Sequence, residues 1–378
     1  MVPVVYRPEY LSYDFGPQHP FSPLRLEMLV ELLELLDPGF APVAPAQATR
    51  EEVLEVHAER YVRRVEAASR GEVGADLVEY GLGTSDTPVF KGMDAATRWL
   101  AGGTVHAARM VARGEAPRVL QLGGGLHHAQ FDRASGFCVY NDLALALQVF
   151  LKEGLRVLYV DVDVHHGDGV QWIFYKDPRV LTLSLHESGR YLYPGTGGVF
   201  EIGQGGGTGY SWNGPLEPFT EDASYLAVFE QLFDKALAWF LPDVILVQAG
   251  ADAHYLDPLA DLLLTTRAYE RVFTRLLEGA ERYTEGRIVF TLGGGYSFDA
   301  AVRVWALLYF VLQGRALPGR LPEAWRRRWE ERLGVRLGPS LHDEEGPPEV
   351  PRRREIERYN EGNALRLLET VKKYLMAG

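Results

Sequence analysis

Six short apolar segments recur along the chain with no polar alternation: "VPVVY" at 2–6, "RVLQL" at 118–122, "RVLYV" at 156–160, "RVLTLSL" at 179–185, "DVILVQAG" at 243–250 and "RIVFTLGGG" at 287–295. A strand with one wet face alternates, whereas a strand covered on both faces reads as a continuous run. Helix-like stretches such as "NDLALALQVFLKEG" and "DASYLAVFEQLFDKALAWFL" lie between these segments. The succession predicts βαβ units, and so an α/β fold with a mainly parallel sheet and helices on both faces. No Ser/Pro-rich linker interrupts residues 1–315, which are expected to form a single catalytic domain. Residues 316–378 are expected to form a C-terminal helical extension packed on it. Within that extension, "LHDEEGPPEVPRRREIERYNEG" is charged and proline-bearing and predicts an extended crossing before a last helix, "NALRLLETVKKYLM".

The formal net charge of −12 argues against nucleic acid as a partner, since neutralising phosphates takes a clustered Lys/Arg face. The apolar run "VWALLYFVL" at 304–312 is far shorter than the roughly 20 residues of a membrane span and predicts a core helix. The opening "MVPVVYRPEYLSYDF" lacks the basic-then-apolar order of a secretory signal, and a single cysteine, Cys138, suits a reducing compartment. A cytoplasmic protein with no membrane partner is expected. The glycine cluster "GQGGGTGY" at 203–210 has no phosphate-loop register and predicts a turn before a further strand.

In open α/β sheets, ligands bind outside the carboxyl ends of the strands. Four such ends carry polar outliers here: "GGGLHHA" with His127 and His128, "DVDVHHGDG" from Asp161, "AGADAH" with Asp252, and "LGGGYS" with Tyr296. Period-two alternation would put Asp161, Asp163 and His165 on one side. Carboxylates left unpaired at a buried strand end would cost several kcal/mol or take up protons, and a divalent cation removes that cost. Asp163, His165 and Asp252 supply two oxygens and one nitrogen, a three-ligand set with a position open for water. Asp161 and Asp168 flank the pair and could each hold a histidine. A structural ion-pair network is the competing explanation of an isolated D-x-D-x-H. With two imidazoles and a phenol added, the parts suit metal-assisted hydrolysis. There is no G-x-S-x-G elbow for serine chemistry.

"GGGLHHA", "SGFCVYND", "DVDVHHGDG", "SLHESGRYLYPGTG", "GADAHYLDPL" and "LGGGYS" stand in the order found in the zinc-dependent histone deacetylases, which the chain resembles from residue 1 to about 315. With "FGPQHPFSPLR" and "GTSDTPVF", it is most similar to the bacterial branch named for acetoin utilisation. The resemblance implies an arginase-like fold and hydrolysis of Nε-acetyl-lysine to lysine and acetate. It implies zinc, with ferrous iron as the cellular alternative, at Asp163, His165 and Asp252. His127 would pair with Asp161 and act electrostatically, and His128 would pair with Asp168 and carry the proton. Tyr296 would bind the carbonyl oxygen, Gly136, Phe137, Tyr193 and Leu259 would line the substrate tunnel, Asp86 would grip the substrate backbone, and Arg25 would lie near the acetate exit. Structural K⁺ or Na⁺ would sit at Asp161, Asp163, His165, Ser184 and Leu185, and at Phe174, Asp177, Val180 and Tyr210. The implied partner is an acetylated protein, a metabolic enzyme such as an acyl-CoA synthetase in a bacterium.

Two departures stand out: Leu126, where many eukaryotic members carry an aromatic residue, and Leu259, where polyamine-selective relatives can carry an acid. Three other assignments share parts of the pattern. A two-manganese amidinohydrolase would need D-x-H-x-D where "DVHHG" stands. An acetylpolyamine amidohydrolase would share the chemistry behind a different mouth. A silent acyl-lysine binding module would be expected to lack a ligand or the phenol.

Overall fold

The computed structural model describes residues 1–375. Seven strands form one sheet: β1 (Val4–Val5), β2 (Arg118–Gln121), β3 (Val157–Asp161), β4 (Val180–Glu187), β5 (Ser211–Leu216), β6 (Val244–Gln248) and β7 (Ile288–Thr291). Their spatial order is β1-β2-β7-β6-β3-β4-β5, and every pairing is parallel. The continuous apolar runs have their expected cause, because every residue of β3, β4, β5, β6 and β7 is buried. Helices Met93–Ala112 and Asp142–Lys152 pack together over one face. Helices Leu24–Leu36, Phe298–Gln313, Thr266–Tyr283 and Asp222–Phe240 pack in succession over the other. The run at 304–312 lies inside Phe298–Gln313, whose capping Ser297 accepts from Ala300 N. No helix among the described residues is long and apolar enough to cross a membrane.

Strand limits differ from the sequence expectation where glycine enters. β6 and β7 stop at Gln248 and Thr291, because the glycines that follow turn the chain out of the sheet. The further strand after the 203–210 turn is β5, "SWNGPL".

The last helix begins at Arg353, not Asn363, so half of the expected crossing is helical; Met376, the last residue of the predicted helix, lies outside the described residues. Tertiary contacts extend it: Arg353 pairs with Glu221 (2.7 Å), Asn360 Oδ1 accepts Glu217 N (2.9 Å), and Asn363 Nδ2 donates to Pro215 O (2.9 Å). The two asparagines satisfy main-chain groups at the end of β5, an advantage that local propensity does not contain.

Candidate active site

The four strands whose ends carry chemistry, β2, β7, β6 and β3, are neighbours in the sheet. After β3 the chain steps outward through β4 and β5, then returns to β6 and β7 on the other side of β3. The direction of winding therefore reverses between β3 and β6, where an α/β sheet leaves a crevice at its carboxyl edge. Asp163 and His165 follow β3, and Asp252 follows β6, so the ligand set straddles that crevice.

One ligand atom from each of Asp163, His165 and Asp252 lies within 4.8 Å of the others, and all three residues are buried. They reach this geometry by turns and not by strand alternation, because β3 ends at Asp161. Asp163 N donates to Asp161 Oδ1 (3.2 Å) and His165 N to Asp163 Oδ1 (3.0 Å), so each aspartate ties down the residue two positions on. The carboxylate oxygens turned away from the cluster are occupied. Asp163 Oδ2 accepts from Gln248 Nε2 (2.7 Å) and Gly294 N (2.8 Å), and Asp252 Oδ1 accepts from Val164 N (2.8 Å). Their other oxygens, Asp163 Oδ1 and Asp252 Oδ2, face His165 Nδ1 at 3.1 and 3.2 Å.

Two buried carboxylates and an imidazole with converging lone pairs fit a divalent cation. Burial pushes Asp252 up to about 8, aided by the charge of Asp163. Burial opposes a charge on His165, yet its bonds to Asp163 and Asp252 raise it to about 10.

The two histidines after β2 each have a carboxylate: His127 Nδ1 lies 2.8 Å from Asp161 Oδ2, and His128 Nδ1 lies 2.6 Å from Asp168 Oδ1. Their charge states diverge. Burial works against a charge on His127, but Asp161 and Asp163 overcome it and raise the imidazole to about 9. His128 falls to about 4, through burial and then the positive charge of His127, which together outweigh Asp168. The loop that carries both is fixed by the start of helix Asp142–Lys152. Asn141 Nδ2 donates to Ala129 O (2.9 Å), and Asp142 accepts from Leu126 N (2.7 Å) and Gly125 N (3.0 Å). Leu126 itself is buried.

A cleft of about 220 Å³ runs from His128 and His165 to solvent, lined by Gly136, Phe137, Leu192, Tyr193, Leu259, Tyr296 and, at the mouth, Asp86. Gly136 (φ 49°) and Phe137 (φ 69°) form the two left-handed centres of a tight turn closed by Ser135 and Cys138, whose main chains exchange bonds of 3.0 and 2.8 Å. A side chain at Gly136 would overlap the His128 ring, and the turn aims Phe137 at Tyr296, ring to ring at 5.7 Å. Tyr193 stands 5.0 Å from the His128 ring and bonds Ser135. Burial, followed by the Asp252 and Asp163 charges, keeps the Tyr296 phenol protonated well past its usual range.

Arg25 stands apart from this group. It is buried behind Tyr296, donates to Gly295 O (2.5 Å), and lines a separate cavity of about 40 Å³ with Tyr10 and Trp305. Of the expected monovalent sites, Asp161 and Ser184 are register partners on β3 and β4, next to Leu185, Asp163 and His165. At the other, the carbonyls of Phe174, Asp177 and Tyr210 accept N–H groups from Asp177, Val180 and Thr182 (2.9, 3.3 and 3.0 Å), and Arg179 holds the Asp177 carboxylate (2.6 Å).

Several members of the site carried no notice in the sequence. Gln248 orients Asp163, Gln130 holds Asp168 (2.8 Å), and Tyr159 OH donates to Asp161 (2.5 Å). His19 packs on Phe137 at the mouth, ring to ring at 4.6 Å. Gln248 had a signal, since a lone amide closing a wholly apolar buried strand needs a partner.

The Histone deacetylase domain family matches residues 19–312. The chain is 44% identical over 380 residues to "Acetoin utilization protein AcuC" of Bacillus subtilis, across 99% of this chain and 96% of that protein. It is 38% identical to the protein of the same name from Staphylococcus xylosus, across 96% of each. In three dimensions it is similar to an HDAC homolog from Aquifex aeolicus, with a TM-score of 0.85 at 29% identity over 96% of this chain and 99% of the other.

Proposed function

The chain belongs to the histone deacetylase family, and on that premise we propose that it hydrolyses Nε-acetyl-lysine in a polypeptide to lysine and acetate, with zinc held by Asp163, His165 and Asp252. The observation that carries this is the meeting of that ligand set with the Asp168-paired His128 at the foot of a narrow cleft walled by Phe137 and Tyr193. When bound, zinc, or ferrous iron in its place, supplies Lewis acidity at the amide carbonyl and makes the attacking water more acidic.

The rest is the work of the chain. With Nδ1–H given to Asp168, His128 keeps a lone pair on Nε2 and takes the proton of the attacking water, then returns it to the departing amine. His127, not part of the cleft lining, is favoured as a cation by Asp161 and Asp163 and would lower the energy of negative charge building beside it. Tyr296 OH donates where oxyanion charge develops. Phe137 and Tyr193 exclude water around the lysine stem, and Asp86 at the mouth accepts from substrate main chain. K⁺ or Na⁺ beside Asp161 and Ser184 would hold the strand ends at fixed separation. The expected partner is a cytoplasmic metabolic enzyme such as an acyl-CoA synthetase, in keeping with the acetoin-utilisation name of the relatives.

Acetate release from acetyl-lysine peptides and from acetylpolyamines, before and after chelation and zinc restoration, tests this with Asp252→Ala as control. Peptide turnover lost on chelation and in the variant is expected. Preference for acetylpolyamines would move the substrate class, and no turnover of either by metal-loaded protein would overturn the function.

A further inference from the structure

A cavity larger than the cleft lies beside it, an apolar groove of about 590 Å³ against about 220 Å³. Tyr191, Phe219 and Leu263 line it together with Val350 and Ile356 of the C-terminal extension. Two chain segments serve both depressions. Tyr191 lines the groove while Leu192 and Tyr193 line the cleft, and Asp261 lines the groove while Leu259 lines the cleft. The groove and the cleft are therefore neighbours built on two shared segments.

Tyr191 is 59% and Phe219 50% exposed, an aromatic surface kept in water beside a substrate opening. Phe219 holds a left-handed φ of 65°, costly for an aromatic residue. It is pinned there by its N–H to Asp261 O (2.7 Å), and Asn360 braces the preceding Glu217 N (2.9 Å). The charges indicate the partner. Arg352 is paired with Glu355 (2.9 Å) and Glu217 with Arg190, whereas Asp261 and Glu349, both lining the groove, have no cationic partner among the described residues.

We propose that this groove docks the polypeptide flanking the acetyl-lysine, seating an apolar side chain against Phe219 and Val350 and a basic neighbour against Asp261 and Glu349. The proposal rests on the deacetylase function above.

Three substrates test it on the metal-loaded full chain: capped acetyl-lysine, which fills only the cleft; an acetyl-lysine peptide with flanking Leu and Arg; and the same peptide with Glu for Arg. The Leu/Arg peptide is expected to show a KM about tenfold below that of capped acetyl-lysine, as for one well-buried anchor. Phe219→Gly, whose backbone glycine accepts without strain, is expected to raise that KM about tenfold at constant kcat and to leave capped acetyl-lysine unaffected. Asp261→Lys is expected to reverse the Arg/Glu preference. Equal KM values for all three substrates in the parent protein would overturn the proposal, as would a changed oligomeric state of Phe219→Gly with KM unaltered, which would assign the groove to a second copy. Binding of the labelled Leu/Arg peptide is followed in parallel, so that absent turnover counts against the deacetylase function alone. Weakening by Asp261→Lys supports the groove, and unchanged affinity overturns it.

Discussion

Two histidine–carboxylate pairs stand with their imidazoles 4.0 Å apart, made of the same parts, yet one is charged and the other neutral at pH 7. His127 faces two aspartates, Asp161 at 2.8 Å and Asp163 at 3.9 Å. His128 has only Asp168, whose second oxygen is taken by Gln130, and it sits beside the cation that His127 has become. The residue type does not assign the role; the balance of charge around each ring does. One cation next to a second site keeps that second site neutral, which is the state a proton acceptor needs.

The widest separation between the pairs is expected in turnover. His128→Ala should lower kcat roughly 10²- to 10⁴-fold, the range of a lost general base, while His127→Ala, which removes charge and no proton carrier, should cost about 10²-fold. Equal losses at unchanged metal content would erase the distinction. With His127→Gln, relief from the neighbouring cation should raise His128 from about 4, moving the acid limb of the pH–rate profile upward. Tyr296→Phe is expected to cost roughly 10²- to 10³-fold while the profile keeps its shape, because both imidazoles survive. Asp168→Asn should cost about 10- to 100-fold by loosening the tautomer of His128, and a smaller loss than in Asp161→Asn would place the proton carrier on the wrong pair.

The smallest effect is on stability, and its sign differs between the pairs. His127 is raised from an ordinary 6.5 to about 9, so its contribution is fully present below pH 6.5 and fades as pH rises through 9. His128 is lowered to about 4, so its contribution is present above pH 6.5 and is lost as pH falls through 4. Denaturant titrations of chelated protein should show His127→Gln flattening the alkaline slope and His128→Gln the acid one, each by on the order of 3 kcal/mol.

Most of the frame was legible because it is written in runs of apolar residues, and β3 and β4 match their segments closely. "SWNGPL" escaped as a named strand because its Gly and Pro resemble turn chemistry, although the strand is wholly buried at the sheet edge beside β4. The residues proposed as ligands stand out in the sequence as ionisable outliers at strand ends. Of the groups that orient them, Gln248 left a trace as the polar end of an apolar strand, whereas Gln130 and Tyr159 are common types whose importance lies in what they face. The charge pattern of Arg353 to Gly362 suits a solvated helix face as well as a crossing, because the contacts that decide for helix, to Glu221 and Glu217, lie over a hundred residues away in sequence.

Gly294 passes so close to the ligand set that a Cβ there would overlap Asp252 Oδ2 and Asp163 Oδ2, and its N–H already serves Asp163. At that point the ligand set is backed by peptide, not side chain. A side chain at Gly294 would push into the oxygens themselves, so this backing is closed to drift and to redesign alike. Any change of diet must be written at the rim, in residues such as Leu259, Phe219 and Asp261, where a new side chain leaves the chemistry below untouched.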